Sequence, residues 1–209
     1  MSEILGIITG GAPAAALLLG LMIVISIAAL NLAPQLIPRL ILRPYQFVRN
    51  QDYLPLIGSG FIHANHAHLF FNAFTFWSFG FPLERRIGTA RFIALYMIGL
   101  IASDLGTIYR QRDNPDYASL GASGAILAVL FASIIYFPTQ SILILPLPIP
   151  IPAALYAVGY LAYTIHASRH ARDNINHDAH LGGAIAGMVF VMLTDGSAVR
   201  DALRHVGLG

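Results

Sequence analysis

The chain has 209 residues, of which 56% are hydrophobic and only 11% are charged. About a quarter of the residues of a soluble domain are usually charged, so this composition excludes an ordinary soluble protein and indicates that lipid surrounds much of the chain. The formal net charge is +2 and no basic cluster is larger than the pair Arg85 and Arg86, so nucleic acid is not expected as a partner.

Six apolar runs, separated by proline, glycine or charged residues, predict six transmembrane helices. These runs are 12–32, 66–83, 92–109, 123–137, 152–166 and 178–194. Neither an internal repeat nor a second domain is evident, so we expect a single all-α, polytopic membrane domain over residues 1–209. The first run has no basic segment before it and is long enough to span a bilayer, which predicts a retained span rather than a cleaved leader.

The connection between the fourth and fifth runs has proline at every second position from Pro146 to Pro152. Proline lacks a backbone N–H and has a fixed φ angle, so it cannot alternate in this way inside a regular helix. The segment is therefore predicted to be an extended, apolar connector.

The fourth run, 123–137, is too short to cross a bilayer. A helix of this length is about 22 Å long, whereas the hydrocarbon layer is about 30 Å thick. One end must stop inside the membrane, where irregular backbone is tolerated only next to protein or a water-filled cavity. This predicts a polar pocket within the membrane at the start of the run.

The distribution of the arginines does not settle on which side of the membrane the N-terminus lies. If the spans alternate, seven arginines lie on one side of the membrane and five on the other, which slightly favours an outside N-terminus. The seven are Arg39, Arg43, Arg49, Arg110, Arg112, Arg169 and Arg172.

Ser123 lies in a G-x-S-G sequence at 121–124, where a polar loop leads into the fourth run. One interpretation is a helix N-cap, in which the side-chain oxygen accepts a backbone N–H of the first turn. The other is a nucleophile, because glycines on both sides let a substrate backbone approach and free N–H groups stabilise an oxyanion. The chain contains no cysteine, so a nucleophile of the thiol or hydroxyl class must be a hydroxyl.

A serine nucleophile needs a base, and His180 stands at the start of the sixth run. The fourth and sixth spans run in the same direction, so Ser123 and His180 are expected at the same depth. Gly183 and Gly187 then allow a neighbouring helix to approach closely, with Gly124 on that helix. The alternative is an interfacial histidine at a helix end.

His68 and Asn72 begin the second span with i, i+4 spacing, so they project from one side of a helix. This span is also parallel to the fourth and sixth, so both side chains could donate hydrogen bonds to an oxyanion beside Ser123. Alternatively, Asn72 only joins helices within the membrane.

Five histidines could converge at this face and raise the alternative of a metal site or a histidine-lined transporter. No H-E-x-x-H pair is present, and Asp178 is the only acidic residue close to the last group, so no metal or cofactor is expected. The five are His63, His66, His68, His177 and His180.

Taken together, these motifs resemble the rhomboid intramembrane serine proteases. The resemblance covers residues 58–190 and consists of H-x4-H-x3-N at 63–72, F-G-x2-L-E at 79–84, G-x-S-G at 121–124 and A-H-x2-G-x3-G at 179–187. It implies a six-helix, rhomboid-like bundle with a cytoplasmic N-terminus and an active site below the outer membrane surface.

The resemblance also assigns roles. Ser123 and His180 would form a dyad without a third carboxylate, and Asn72, His68 and the backbone N–H of Ser123 would form the oxyanion hole. Residues expected to make structural helix contacts are Gly121, Gly124, Gly183, Gly187 and Glu84.

Two positions depart from the family pattern. Leu54 and Pro55 stand where many bacterial members have a Trp-Arg pair, so the architecture of the first loop is open. Leu127 stands where the family often has an aromatic residue that stacks on the catalytic imidazole, so other packing must orient His180.

The expected function is hydrolysis of transmembrane-helix substrates that enter by way of the second and fifth spans. The expected location is an integral, multi-pass position in a bacterial plasma membrane. The main alternative is a catalytically silent, rhomboid-like protein that binds membrane-spanning helices.

Overall fold

The computed structural model describes residues 9–144, 147–170, 173 and 175–207. Helices lie at all six of the predicted apolar runs. A π-helical turn, Ala28–Leu32, extends the first helix, and a 3₁₀ turn, Ser59–Phe61, precedes the fifth. In chain order the helices are α1 (Pro13–Ile27), α2 (Leu36–Leu40), α3 (Pro44–Asn50), α4 (Leu54–Gly58), α5 (His66–Ile87), α6 (Thr89–Gln111), α7 (Ser123–Tyr136), α8 (Ala153–His170), α9 (His177–Thr194) and α10 (Gly196–His205).

Helix length and hydropathy support only part of the six-span prediction. Within the described ranges, two helical segments are long and apolar enough to cross a membrane, Pro13–Leu32 and Thr89–Gln111. Helices α9 and α10, which are bent by 111° at their junction, meet the same test when they are taken together as one span. The predicted short helix is α7, which has 14 residues. Helix α5 carries polar or charged side chains in both its first and its last turn, and α9 carries them in its first turn, which lowers the hydropathy of these two helices.

The proline-rich connector is extended over 147–152, as predicted, and it forms part of a β-hairpin. Strands β1 (Ser141–Ile144) and β2 (Leu147–Pro152) pair antiparallel, with Ser141 opposite Pro152. Pro146 lies outside the described residues. The hairpin is a departure from the all-α expectation, since the prolines exclude a helix but still permit an irregular two-stranded ladder.

The most deeply buried helix is α7, in which every residue from Gly124 to Ser133 is buried. It packs against α5, α6 and α9. Large aromatic side chains fill the space between α5 and α6, where the ring of Phe76 lies 6.0 Å from that of Phe92 and 5.6 Å from that of Tyr96. Ser123 therefore begins the central helix of the bundle.

The backbones of α7 and α9 are in contact. A Cβ atom added to Gly183 would lie 3.0 Å from Cα of Gly124, and one added to Gly187 would lie 2.8 Å from Cα of Ala128. Carbon atoms in ordinary contact are about 3.5–4.0 Å apart, so a side chain does not fit at either glycine. Small residues with G-x-x-x-G spacing thus bring α7 and α9 together.

Polar contacts between helix ends show how α6, α7 and α9 run relative to one another. The hydroxyl of Tyr136, at the end of α7, donates to Oδ2 of Asp195, just after α9, over 3.2 Å. Arg110, near the end of α6, forms an ion pair of 2.7 Å with Asp178 in the first turn of α9. Helices α7 and α9 are therefore parallel, and the last turn of α6 lies beside the first turn of α9.

Glu84, near the end of α5, is 1% exposed and caps the start of α1. Its carboxylate accepts hydrogen bonds from the backbone N–H groups of Ala14 (3.1 Å) and Ala15 (2.6 Å), and from the hydroxyl of Thr89 (2.7 Å). The first N–H groups of a helix have no intrahelical partner and carry partial positive charge, so a carboxylate stabilises them. This cap holds the start of α1 against the end of α5.

Candidate active site

Ser123 and His180 meet although they are 57 positions apart in sequence. Ser123 is the first residue of α7, and His180 lies in the first turn of α9. Oγ of Ser123 lies 2.8 Å from Nε2 of His180, which is within hydrogen-bond distance and suits proton transfer.

The other ring nitrogen of His180 contacts α8. Nδ1 lies 3.1 Å from the hydroxyl oxygen of Tyr160, a residue that the sequence analysis did not identify. Leu127 packs in the same hydrophobic cluster as Tyr160. In the sequence, Leu127 at the position of the usual aromatic residue indicated that another side chain must orient His180. It did not indicate which helix would supply that side chain.

Asn72 and His68 line the same cavity as Ser123 and His180, and this cavity has a volume of about 920 Å³. Nδ2 of Asn72 donates one hydrogen bond to the carbonyl of His68 over 2.9 Å, which leaves its second hydrogen available. Nδ1 of His68 accepts the N–H of Ala64 over 3.4 Å, so Nε2 carries the ring hydrogen of the neutral imidazole. Both side chains therefore have a donor to offer to the cavity.

The loop before Ser123 requires a glycine at position 121. Gly121 has a φ angle of +115°, which L side chains rarely adopt, and an added Cβ would lie 2.8 Å from Cε1 of His68. Its N–H donates to the carbonyl of Ser59 over 2.9 Å. Gly121 thus lets the loop pass directly beside His68.

His63 supports the same loop from inside the protein, where it is fully buried. Its Nε2 accepts the N–H of Ala122 over 3.4 Å, so its Nδ1 carries the hydrogen and donates to Oγ of Ser26 at 2.8 Å. The Ser26 hydroxyl in turn donates to the carbonyl of Phe61 over 2.9 Å. His63 is therefore a structural residue that connects α1 to the residue preceding Ser123.

Asn176 joins three parts of the site, and the sequence analysis did not identify it. Its Oδ1 accepts the N–H of Ala179 over 3.0 Å and so caps α9, one turn before His180. Its Nδ2 donates to the hydroxyls of Thr107 and Ser119, both at 2.8 Å. An asparagine just before a helix is a typical N-cap, but its two long-range partners leave no local signal.

The five histidines considered for a metal site do not gather at one point. His63 and His68 have ring centroids 4.9 Å apart, and His177 and His180 have centroids 6.1 Å apart. Nε2 of His177 is 3.1 Å from a carboxylate oxygen of Asp173. Among the residues that the structure describes, no three His, Cys, Asp or Glu side chains are arranged to hold a metal ion.

Comparison of the sequence with known proteins identifies the family of this chain. The family model of the rhomboid domain matches residues 50–195. The mitochondrial Rhomboid protein 1 of Saccharomyces cerevisiae is 30% identical over 143 residues, which are 66% of this chain and 40% of the yeast protein. The mitochondrial Presenilin-associated rhomboid-like protein A of Danio rerio is 31% identical over 140 residues, which are 66% of this chain and 37% of the zebrafish protein.

A bacterial relative is matched over more of its length. YdcA of Bacillus subtilis, whose name describes it as a candidate rhomboid protease, is 31% identical over 146 residues, which are 70% of this chain and 69% of YdcA. The residues that the family model matches include Ser123 and His180, as well as His68 and Asn72 of α5. The chain is therefore a membrane protein that belongs to the rhomboid family.

Proposed function

We propose that this protein is an intramembrane serine protease in which Ser123 is the nucleophile and His180 is the general base. The observation that carries the proposal is the 2.8 Å separation of Ser123 Oγ and His180 Nε2 in a cavity of about 920 Å³. Membership of a family with a relative described as a candidate protease supports it further.

The reaction follows from the two atoms that meet. Nε2 of His180 takes the proton of the Ser123 hydroxyl as Oγ attacks the scissile carbonyl carbon, which forms a tetrahedral intermediate. The intermediate collapses when the imidazolium returns the proton to the leaving amine, and an acyl-enzyme remains. Water from the cavity then attacks the ester, again with His180 as the base, and releases the carboxylic acid and the free serine.

Three donors would stabilise the oxyanion. They are the second amide hydrogen of Asn72, the Nε2–H of His68 and the backbone N–H of Ser123, which has no intrahelical partner at the start of α7. One such donor contributes on the order of 3 kcal/mol of transition-state stabilisation in soluble serine proteases. No metal or cofactor takes part in this chemistry.

The proposal includes a single membrane domain over residues 1–209 with six spans. The substrates would be transmembrane proteins, whose helices must unwind locally because an intact helix buries its carbonyls in hydrogen bonds. Small or helix-breaking residues near the cleavage site are the expected preference. Lipid surrounds the enzyme, and nucleic acid has no part in its function.

The expected bacterial plasma membrane is not supported by the relatives. The yeast and zebrafish proteins are named as mitochondrial, whereas YdcA is bacterial. The location that the proposal requires is an integral position in a lipid bilayer.

The proposal is tested with the full-length protein in liposomes that also contain a transmembrane substrate. We expect a fluorophosphonate probe to label the wild type and the substrate to be cleaved, and both activities to vanish in Ser123→Ala. Ser133→Ala is the matched control, because Ser133 lies on the same helix, is 3% exposed and is remote from the dyad. A wild type that binds membrane-spanning helices but neither labels nor cleaves would instead be a silent rhomboid-like binder.

A further inference from the structure

The contact between Tyr160 and His180 has a chemical consequence for the base. A neutral imidazole has one nitrogen that donates and one that accepts. If Nε2 is to accept the Ser123 proton, Nδ1 must carry the ring hydrogen. The phenolic oxygen of Tyr160, 3.1 Å from Nδ1, is in position to accept that hydrogen. It remains in position after proton transfer, because the imidazolium keeps its Nδ1–H.

The ring of Tyr160 is held by contacts that do not involve its hydroxyl. It stacks on Tyr156 with centroids 5.6 Å apart and an interplanar angle of 22°, and it lies 5.8 Å from the ring of Phe131 on α7. A phenylalanine at this position would keep both ring contacts. The hydroxyl can therefore be removed without removing the packing.

The helix that carries Tyr160 belongs to the outer part of the bundle. Ala153, Thr164 and Ala167 are the buried residues of α8, in contrast to α7, which is buried almost throughout. The partner of the base thus comes from a helix that packs less closely than α7 and α9, the helices that carry the dyad.

We propose that Tyr160 is a positioning residue, which holds the His180 imidazole in the tautomer and orientation that leave Nε2 free to accept the Ser123 proton. The inference rests on the proposed function and adds a third participant to the same site, supplied by α8. Tyr160 does not touch the reacting atoms. It acts through His180, which it contacts by a hydrogen bond to Nδ1.

The size of the effect follows from the type of bond. A neutral hydrogen bond contributes about 0.5–1.5 kcal/mol net, which corresponds to a factor of about 2 to 13 in rate. The loss of the Tyr160 hydroxyl should therefore lower kcat by about three- to tenfold. KM should stay within about twofold, because a hydroxyl that acts only through His180 makes no contact of its own with the substrate.

The test compares Tyr160→Phe with Tyr163→Phe in the full-length protein in liposomes. Tyr163 is on the same helix, is 54% exposed and is not a partner of His180. We expect Tyr160→Phe to lower kcat and the rate of fluorophosphonate labelling by the same factor, with KM unchanged. Tyr163→Phe should behave as the wild type.

A spectroscopic measurement reports the tautomer directly. In protein labelled with ¹⁵N-histidine, the His180 signals are assigned by their loss in His180→Ala. We expect the wild type to show the hydrogen on Nδ1 and Tyr160→Phe to show a mixture of both tautomers. A Tyr160→Phe variant with wild-type kcat and an unchanged tautomer would overturn the inference, and so would a loss confined to KM. A wild type that does not label or cleave would refute the proposed function instead, while the tautomer would still decide the role of Tyr160.

Discussion

The contact between α7 and α9 makes Gly183→Ala an informative perturbation. The added methyl group would lie 2.8 Å from the carbonyl carbon of Gly124 and 3.0 Å from its Cα atom. Both atoms belong to the backbone and cannot rotate away as a flexible side chain could. Because contacts between carbons are about 3.5–4.0 Å, the two helices must separate by about 1 Å at this point.

This separation occurs next to the dyad. Gly124 follows Ser123 directly, and Gly183 lies three residues after His180. A shift of about 1 Å would lengthen the 2.8 Å contact between Oγ and Nε2 to about 3.8 Å, beyond hydrogen-bond distance. A misplacement of this size costs about 100-fold in rate, so we expect kcat to fall by that factor. Overpacking should also cost about 1–3 kcal/mol of stability.

The assay measures cleavage of a transmembrane substrate in liposomes and thermal unfolding in detergent, for a graded series of glycine variants. Gly20→Ala is the control, because an added Cβ would have no neighbour within 4 Å. Gly182→Ala is intermediate, since its Cβ would lie 3.2 Å from Cα of Ser103. We expect the losses to increase from Gly20 to Gly182 to Gly183. Wild-type kcat in a folded Gly183→Ala protein would refute the packing argument, and if that variant does not fold, the intermediate loss at Gly182 still tests it.

Three other changes probe the cavity, the α1 cap and the Asn176 contacts. Ser123→Cys creates the single thiol of the chain, and we expect a water-soluble thiol reagent to modify it, as measured by mass spectrometry. Ser133→Cys is the control on the same helix and should stay unmodified, because Ser133 is buried. Equal modification of the two variants would contradict a water-accessible cavity at Ser123. Glu84→Gln removes the negative charge that accepts hydrogen bonds from two backbone N–H groups of α1 and from the Thr89 hydroxyl. We expect the free energy of unfolding, measured by thermal melts, to fall by about 2 kcal/mol. An unchanged free energy of unfolding would show that the cap is unimportant. Asn176→Ala should lower stability by about 1 kcal/mol and kcat by about tenfold, because it removes both the cap of α9 and the two hydrogen bonds to Thr107 and Ser119. Asn176→Asp restores the cap but not the two N–H donors, so we expect it to recover the stability but not kcat. Full recovery of kcat in Asn176→Asp would show that the cap alone matters.

The positions of the helices and of the candidate dyad were accessible from the sequence. Apolar runs bounded by proline and charge indicated where helices lie, since burial in lipid demands continuous hydrophobicity. Ser123 and His180 could be paired because spans that are two crossings apart begin at the same face. The glycine spacing after His180 indicated a close helix contact, because only small residues let backbones approach.

Other features depended on packing that the sequence pattern does not contain. The sequence predicted a role for Glu84 in helix contacts, but not that it caps α1, about seventy residues earlier in the chain. It indicated an extended segment at 147–152, but not its pairing with β1. The number of membrane spans also stays a prediction, because by length and hydropathy only two helical segments of the described residues, or three if the bent pair is one span, could cross a membrane.

The amino-acid sequence by itself therefore determined which segments are helical, in what order they come, and which residues could carry serine-protease chemistry. Only the tertiary structure decided which side chains lie around the candidate dyad, namely Tyr160 at the far side of the imidazole and Asn176 between α6, α9 and the loop before Ser123. The physical reason is that hydropathy and spacing are local properties of one helix. Hydrogen bonds between helices depend instead on how each helix is rotated and shifted against its neighbours, and packing of the whole bundle sets both.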